Sequence, residues 1–177
     1  FETEDVAVLT SLQASGFGTR ELSAMGTDIL AALSANAVKG LTSTALRGLT
    51  SDQVAALTTE QASALRSVQL GSLTTDALVG LETEDAAALT SAQVIGLTSA
   101  QVSALGSDQV GALSTQVVGA LTSAQVRAVS TDALAGLSSD QVKAFKSGQV
   151  AGLSSVQVGA LSTDQVSGLT TGVIRSL

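Results

Sequence analysis

The chain of 177 residues carries eight basic and fifteen acidic side chains, a net charge of −7, which excludes the basic footprint needed for nucleic acid or an anionic membrane surface. It contains no Cys, His, Trp, Tyr or Pro, so disulfides, thiolate metal sites and imidazole catalysis are excluded as well. Its apolar 45% comes mostly from Leu, Val and Ala and is interleaved with Gly, Ser, Thr and Gln, the alphabet of a repeat protein and not of a globular enzyme.

From Phe1 onward every eighth residue is large and apolar: Leu9, Phe17, Met25, Leu33, Leu41, Leu49, Leu57, and so through Val129, Phe145 and Leu169 to Leu177. Residues 1–177 are therefore one array of twenty-two octapeptides without insertion or deletion, with the consensus L-[TS]-[TS]-[DEx]-Q-V-x-[AG]. The first five units, 1–40, are the most degenerate. There Phe1, Phe17 and Met25 replace Leu, Gly18 and Gly26 replace Ser or Thr, and Ile29 replaces Gln. The chain opens at Phe1 without a signal-type pattern, which reads as a segment of a longer array continuing past both ends. A Ser, Thr, Gln or charge interrupts every few positions, so no run approaches the roughly 18 apolar residues of a membrane span.

With the positions of each unit numbered as seats 1 to 8, each seat has its own constraint. Seat 6 is apolar in all twenty-two units, twelve of them Val, and is a core seat together with seat 1. Seat 3 is Ser or Thr except at Ala35, and seat 5 is Gln in twelve units, a polar seat that looks directed and not merely exposed. Seat 8 is Ala, Gly or Ser everywhere but Val8, which predicts a close pass of another backbone.

The same seats predict a short helix in every unit. Thr50-Ser51-Asp52-Gln53 has the S/T-x-x-E/Q form of a capping box, repeated at Ser138 to Gln141 and Ser162 to Gln165. Ten of the fifteen acidic residues, Asp28, Asp52, Asp76, Asp108 and Asp164 among them, sit at seat 4, the second helical position, where the helix dipole favours negative charge. Five of the eight basic residues, Lys39, Arg47, Arg127, Lys143 and Arg175, sit at seat 7, near the end of such a helix. One continuous helix is excluded, because eight residues at about 100° each leave about 80° over and the apolar stripe winds off any face. Isolated helices this short are unstable in water, so stacked units must share a core as in other solenoids. The fold class is thus an all-α solenoid coiled into an elongated rod. A β-solenoid is the alternative, supported by the Val and Thr content if each unit holds a corner. The number of octapeptides per coil stays open.

Few residues point to chemistry. Without His, a Ser or Thr nucleophile would need a carboxylate or Lys as its base, and the hydroxyls are better explained as caps. Glu2/Glu4/Asp5 and Glu82/Glu84/Asp85 suggest Ca²⁺ ligation but lack the glycine-punctuated loops that such sites use. The seventeen glycines are dispersed, eight at seat 8, and read as packing and turn residues and not as a phosphate loop. All three Phe occupy seat 1, which leaves no aromatic platform for bases or sugars. No catalytic, cofactor-binding or metal-binding residue is assigned and no cofactor is expected.

At LTSDQVAAL, LTSAQVSAL and LSSDQVKAF the chain resembles the tandem LTxxQVxAL-type tracts of very large bacterial secreted and surface proteins, of adhesin-like and hemolysin-like kinds. That resemblance implies an extracellular or cell-surface stalk, fibre or adhesin segment. The same nonamer resembles the LTPEQVVAI helix start of TAL-effector repeats, but the proline and base-reading loop are missing, and no residue carries over. The expected function is a non-enzymatic structural rod that assembles laterally or end to end with itself, an association consistent with the mean hydropathy of +0.41. A binding module for a surface protein partner, displaying seats 4 and 7, is the alternative. Ice binding through the Ser/Thr columns of seats 2 and 3 is a third reading.

Overall fold

The computed structural model describes residues 2–175; Phe1 and Leu177, the first and last seat-1 residues, lie outside them. Among the described residues there are twenty-two helices of four to six residues, one per octapeptide, and no strand. The β-solenoid alternative is thereby set aside: the Val at seat 6 are helical residues, buried in every coil but the last.

Each unit folds for the reasons its sequence supplies. Seat 2 is the N-cap in extended conformation, as at Thr58 with φ −76° and ψ 155°, and its hydroxyl accepts the N–H of Gln61 at 3.2 Å. The Gln side chain returns the bond, its Oε1 accepting the N–H of Thr58 at 2.9 Å. These two bonds satisfy donors that a helix start otherwise leaves bare. Where seat 2 has no hydroxyl the second half of the box persists: Gly106, Arg66 and Lys146 donate their N–H to Gln109, Gln69 and Gln149.

The helix ends at the next seat 1, whose N–H bonds back three residues, as from Leu57 to the Val54 carbonyl at 3.1 Å. Seats 1 and 2 are both extended, Leu65 having φ −59° and ψ 133°, and this pair turns the corner between helices. Among the described residues none has a positive φ. Glycines such as Gly48, Gly80 and Gly119 do stand in the turns that follow the helices, as the sequence suggests, but not for a left-handed backbone; what they supply there is room for packing.

The helices, numbered along the chain, pack by one rule: each lies on the helix three units further. Three octapeptides thus complete a coil, and the cross-section is a triangle with three columns of stacked helices. The first column is α1 (Thr3–Ala7), α4 (Thr27–Ala31), α7 (Ser51–Ala55), α10 (Thr75–Leu78), α13 (Ser99–Ala104), α16 (Ser123–Ala128), α19 (Ser147–Val150) and α22 (Thr171–Ile174). The second is α2 (Ser11–Ala14), α5 (Ala35–Gly40), α8 (Thr59–Ala64), α11 (Thr83–Ala88), α14 (Ser107–Ala112), α17 (Thr131–Ala135) and α20 (Ser155–Ala160). The third is α3 (Thr19–Ser23), α6 (Ser43–Leu46), α9 (Ser67–Leu70), α12 (Ser91–Ile95), α15 (Thr115–Val118), α18 (Ser139–Lys143) and α21 (Thr163–Gly168).

The stacking has a direction. In the first coil the seat-6 residues Val6, Ala14 and Leu22 are fully buried while the seat-5 residues Asp5, Gln13 and Glu21 are exposed. In the last coil the pattern inverts: Gln157, Gln165 and Val173 are buried, whereas Val166 and Ile174 are exposed. Seat 6 therefore faces the following coil and seat 5 the preceding one. Buried Leu at seat 1, such as Leu41 and Leu113, complete a core continuous along the array, which no single octapeptide could form alone.

Seat 8 makes the predicted close approach. A Cβ on Gly40 or Gly80 would collide with the backbone of Ser11 or Ser51, residues of the coil below. At Gly136 and Gly168 it would stand 2.8 and 2.9 Å from the carbonyl oxygens of Ser107 and Ser139.

Candidate functional site

The seat-5 glutamine is the central device of the array. Eleven of the twelve Gln at this seat are buried, and each uses both ends of its amide. Oε1 caps its own helix, while Nε2 donates to carbonyls at the corner of the coil below, 28 residues back and 30 or 31 back. Gln125 donates to Val94 at 2.8 Å and Leu97 at 2.9 Å; Gln165 donates to Leu134 at 2.8 Å and Leu137 at 2.7 Å. The seat-6 carbonyl reached also accepts the N–H of the next seat 1, as Val94 does from Leu97 at 3.1 Å, and the seat-1 carbonyl lies in the corner, so one side chain caps a helix start and ties it to the helix end and corner beneath. The capping half was legible in the sequence and the inter-coil half was not. A signal existed: Glu fits a capping box as well as Gln does, yet seat 5 holds twelve Gln and only one Glu, Glu21. That bias marks a need for the amide donor.

Hydroxyls are engaged in the same way. Seat-2 hydroxyls cap helices, and several at seat 3 reach the next coil. Thr19 donates to the Thr44 carbonyl at 2.9 Å and Ser123 to that of Gly148 at 2.7 Å. Both acceptors lie in four-residue helices, where the N–H that would otherwise reach them bonds one residue short, as from Gly48 to Ala45. The seat-2 hydroxyls are thus mostly backbone caps, and some of those at seat 3 are coil-to-coil ties.

The acidic groups singled out as Ca²⁺ candidates do not converge. The Asp5 carboxylate accepts the N–H of Glu2 at 3.2 Å and is exposed. Glu84 is exposed; its bond to its own backbone N–H and, second, the Thr83 hydroxyl that it accepts at 3.0 Å lower its carboxyl pKa from the ordinary value. Asp85 points inward instead, 2% exposed. Among the described residues no group of three His, Cys, Asp or Glu is arranged to hold a metal ion, and no helix is long and apolar enough to cross a membrane.

Asp85 occupies a seat that elsewhere holds Gln, Ala or Val in the interior, and its Oδ2 is buried without a hydrogen-bond partner. The side chain is a methylene shorter than Gln and, when ionised, has no proton to give to the coil below. Burial raises its pKa above the ordinary 3.8, the Thr59 hydroxyl opposes this, and Glu82 and Glu84 add to the rise. Glu60 on α8 and Asp108 on α14, the helices packed against α11, add no cation. A raised value means that the folded state prefers the neutral acid. Stability from this group is complete below about pH 3.8 and is lost as pH rises through the folded value. Asp85→Gln is expected to stabilise the array by about 1–3 kcal/mol at neutral pH, the cost of an unsatisfied buried group, and to flatten the acid-side pH dependence. Thermal melts of both proteins across the carboxylate range check this; equal melting temperatures at pH 7 would refute it.

No curated protein matches the chain in sequence. A family model does: the ALTTAQ repeat matches residues 23–59, 36–67, 78–115, 118–147 and 142–171, more than half of the chain. The six letters of that description fall on seats 8 to 5, as in Ala88-Leu89-Thr90-Ser91-Ala92-Gln93, which spans the small contact seat, the core Leu, the cap and the stapling amide. The chain is a tandem repeat protein and belongs to the ALTTAQ repeat family.

Proposed function

We propose that this array is a structural rod without catalytic activity, serving as an extracellular or cell-surface stalk, fibre or adhesin segment. The observation that carries this reading is the use of the octapeptide: seats 1, 2, 5, 6 and 8 are committed to core, caps, staples and close contact, and every coil repeats the same three-unit turn. Such a design fixes length and stiffness and leaves seats 3, 4 and 7 on the surface, together with the outer side of the capping seat 2. A second reading, a binding module for a protein partner, draws on the variation at seats 4 and 7.

Two measurements test the rod. Arrays differing by 24 residues should differ in length by about 8–10 Å, the spacing of packed helices, in small-angle X-ray scattering; dimensions that scale as a compact globule would refute it. Antibodies against the array should label intact cells of the source, and labelling only after permeabilisation would overturn the surface location.

A further inference from the structure

We propose that the face formed by the first helix column pairs with the same face of a second copy of this chain, the two rods running antiparallel. The proposal rests on the rod reading and names the surface by which the rod associates.

Three units per coil sort the charges in a way that the linear sequence hides. On this face Glu4, Asp28, Asp52 and Asp76 stack one above another on α1, α4, α7 and α10, and the octapeptides of those helices contain no basic residue. Arg127, Lys146 and Arg175 belong to the units of α16, α19 and α22, which contain no acidic residue, and the unit of α13 has no charge. All seven side chains are exposed. Half of the face is acidic and half is basic.

Such a face is self-complementary when inverted. With α1 opposite α22, α4 opposite α19 and α7 opposite α16, Glu4 meets Arg175, Asp28 meets Lys146 and Asp52 meets Arg127, each pair occurring twice about a two-fold axis. Parallel pairing of the same face would oppose like charges. The axis passes between α10 and α13, where Val79, 56% exposed, supplies an apolar contact at the centre. Small side chains such as Ala31, Ala55, Ala100 and Ala124 separate the charges, so the helices can approach closely. A two-fold pair of this kind is the commonest closed symmetry. The other faces are less well matched. The second column stacks Glu60, Glu84, Asp108 and Asp132 with Lys39 as its sole cation and repels its own copy, and in the third, inversion brings Arg20 to Asp164 and Arg47 to Asp140 but also Glu21 to Asp164 and Arg47 to Lys143, so like charges offset the opposite ones.

Sedimentation velocity of the full chain at low and high salt tests the pairing, because exposed ion pairs are screened. A dimer at low salt that dissociates at high salt is expected. Reversing Arg127→Glu with Lys146→Glu should weaken it roughly tenfold or more, and adding Asp28→Lys with Asp52→Lys should restore it, since the face is then complementary again. Circular dichroism checks that the variants keep the helical fold, since Arg127 also donates from Nε to the Gly152 carbonyl at 2.9 Å. Single cysteines at Ala55 and Ala124, in a chain without any other, should crosslink to each other between copies and not to themselves. A rod of monomer length at every salt concentration overturns the pairing and leaves the rod reading intact. A dimer indifferent to the reversals, or growth beyond the dimer through the mixed face, also overturns it. A compact particle of the wrong length removes the rod reading as well.

Discussion

Gln61→Glu is expected to destabilise the array by about 3–5 kcal/mol at neutral pH, the range for an uncompensated buried charge. Gln61 is 1% exposed; its Oε1 accepts the Thr58 N–H at 2.9 Å and its Nε2 donates to the carbonyls of Leu30 at 2.9 Å, Ala31 at 3.1 Å and Leu33 at 2.6 Å. Glutamate keeps the acceptor and therefore the cap, but it aims a carboxylate at three carbonyl oxygens. Burial and those dipoles raise the folded pKa of the introduced acid. Stability is then present below its unfolded pKa, where the acid again donates a proton, and is lost as pH rises through the folded value. Urea unfolding at acid and neutral pH measures this, with the deficit confined to neutral pH. A variant that unfolds like the parent at pH 7 would show that the inter-coil bonds contribute nothing. Solenoid stability is a sum of unit and nearest-neighbour terms, so the break should appear first as separation of the coils on either side of α8.

Gly80→Ala is expected to cost about 3 kcal/mol, at the upper end for forced overpacking. An added Cβ would collide with the Ser51 carbonyl oxygen and stand 2.7 Å from its carbon and 2.9 Å from its Cα, all atoms of the backbone, which cannot rotate away as a side-chain tip can. Seat 8 takes Ala in eleven units, so a methyl is not barred from the seat as such; what decides is how near the coil below comes at that unit. Gly159→Ala is the control. Nothing lies within 4 Å of its added Cβ, and in α20 it should gain about 0.5–1 kcal/mol from helix propensity. Denaturant unfolding of the two variants should move in opposite directions, and equal midpoints would refute the close-contact account.

Much of the local structure was legible because it is governed by groups close in sequence. The cap at Thr50, its partner Gln53, the acid at Asp52 and the core pair Val54 and Leu57 lie within one turn and its corner, so spacing alone identifies them. The degenerate units show how robust this is: Gly18 cannot offer a hydroxyl, yet Glu21 caps its N–H at 2.9 Å and α3 forms. What escaped were relations between residues 24 to 31 apart. The donor half of each buried Gln acts on a carbonyl about a coil away, several seat-3 hydroxyls bond 25 residues ahead, and Asp85 is grouped with Glu82 and Glu84 in the sequence until stacking turns it inward. The charge columns on the three faces are likewise invisible until the coil number is known.

The sequence by itself determined an octapeptide with a helix in it, the two core seats, the cap and the requirement for a small residue at seat 8. Only the tertiary structure decided that three such helices close a coil. The physical reason is that each corner consists of just two extended residues, and small differences in their dihedrals change the turn angle without changing any local signal. Packing of seat 6 against the next coil, the fit of seat 8 on the backbone below and the reach of the Gln amide select one angle together. None of these is satisfied until a fourth unit lies on the first.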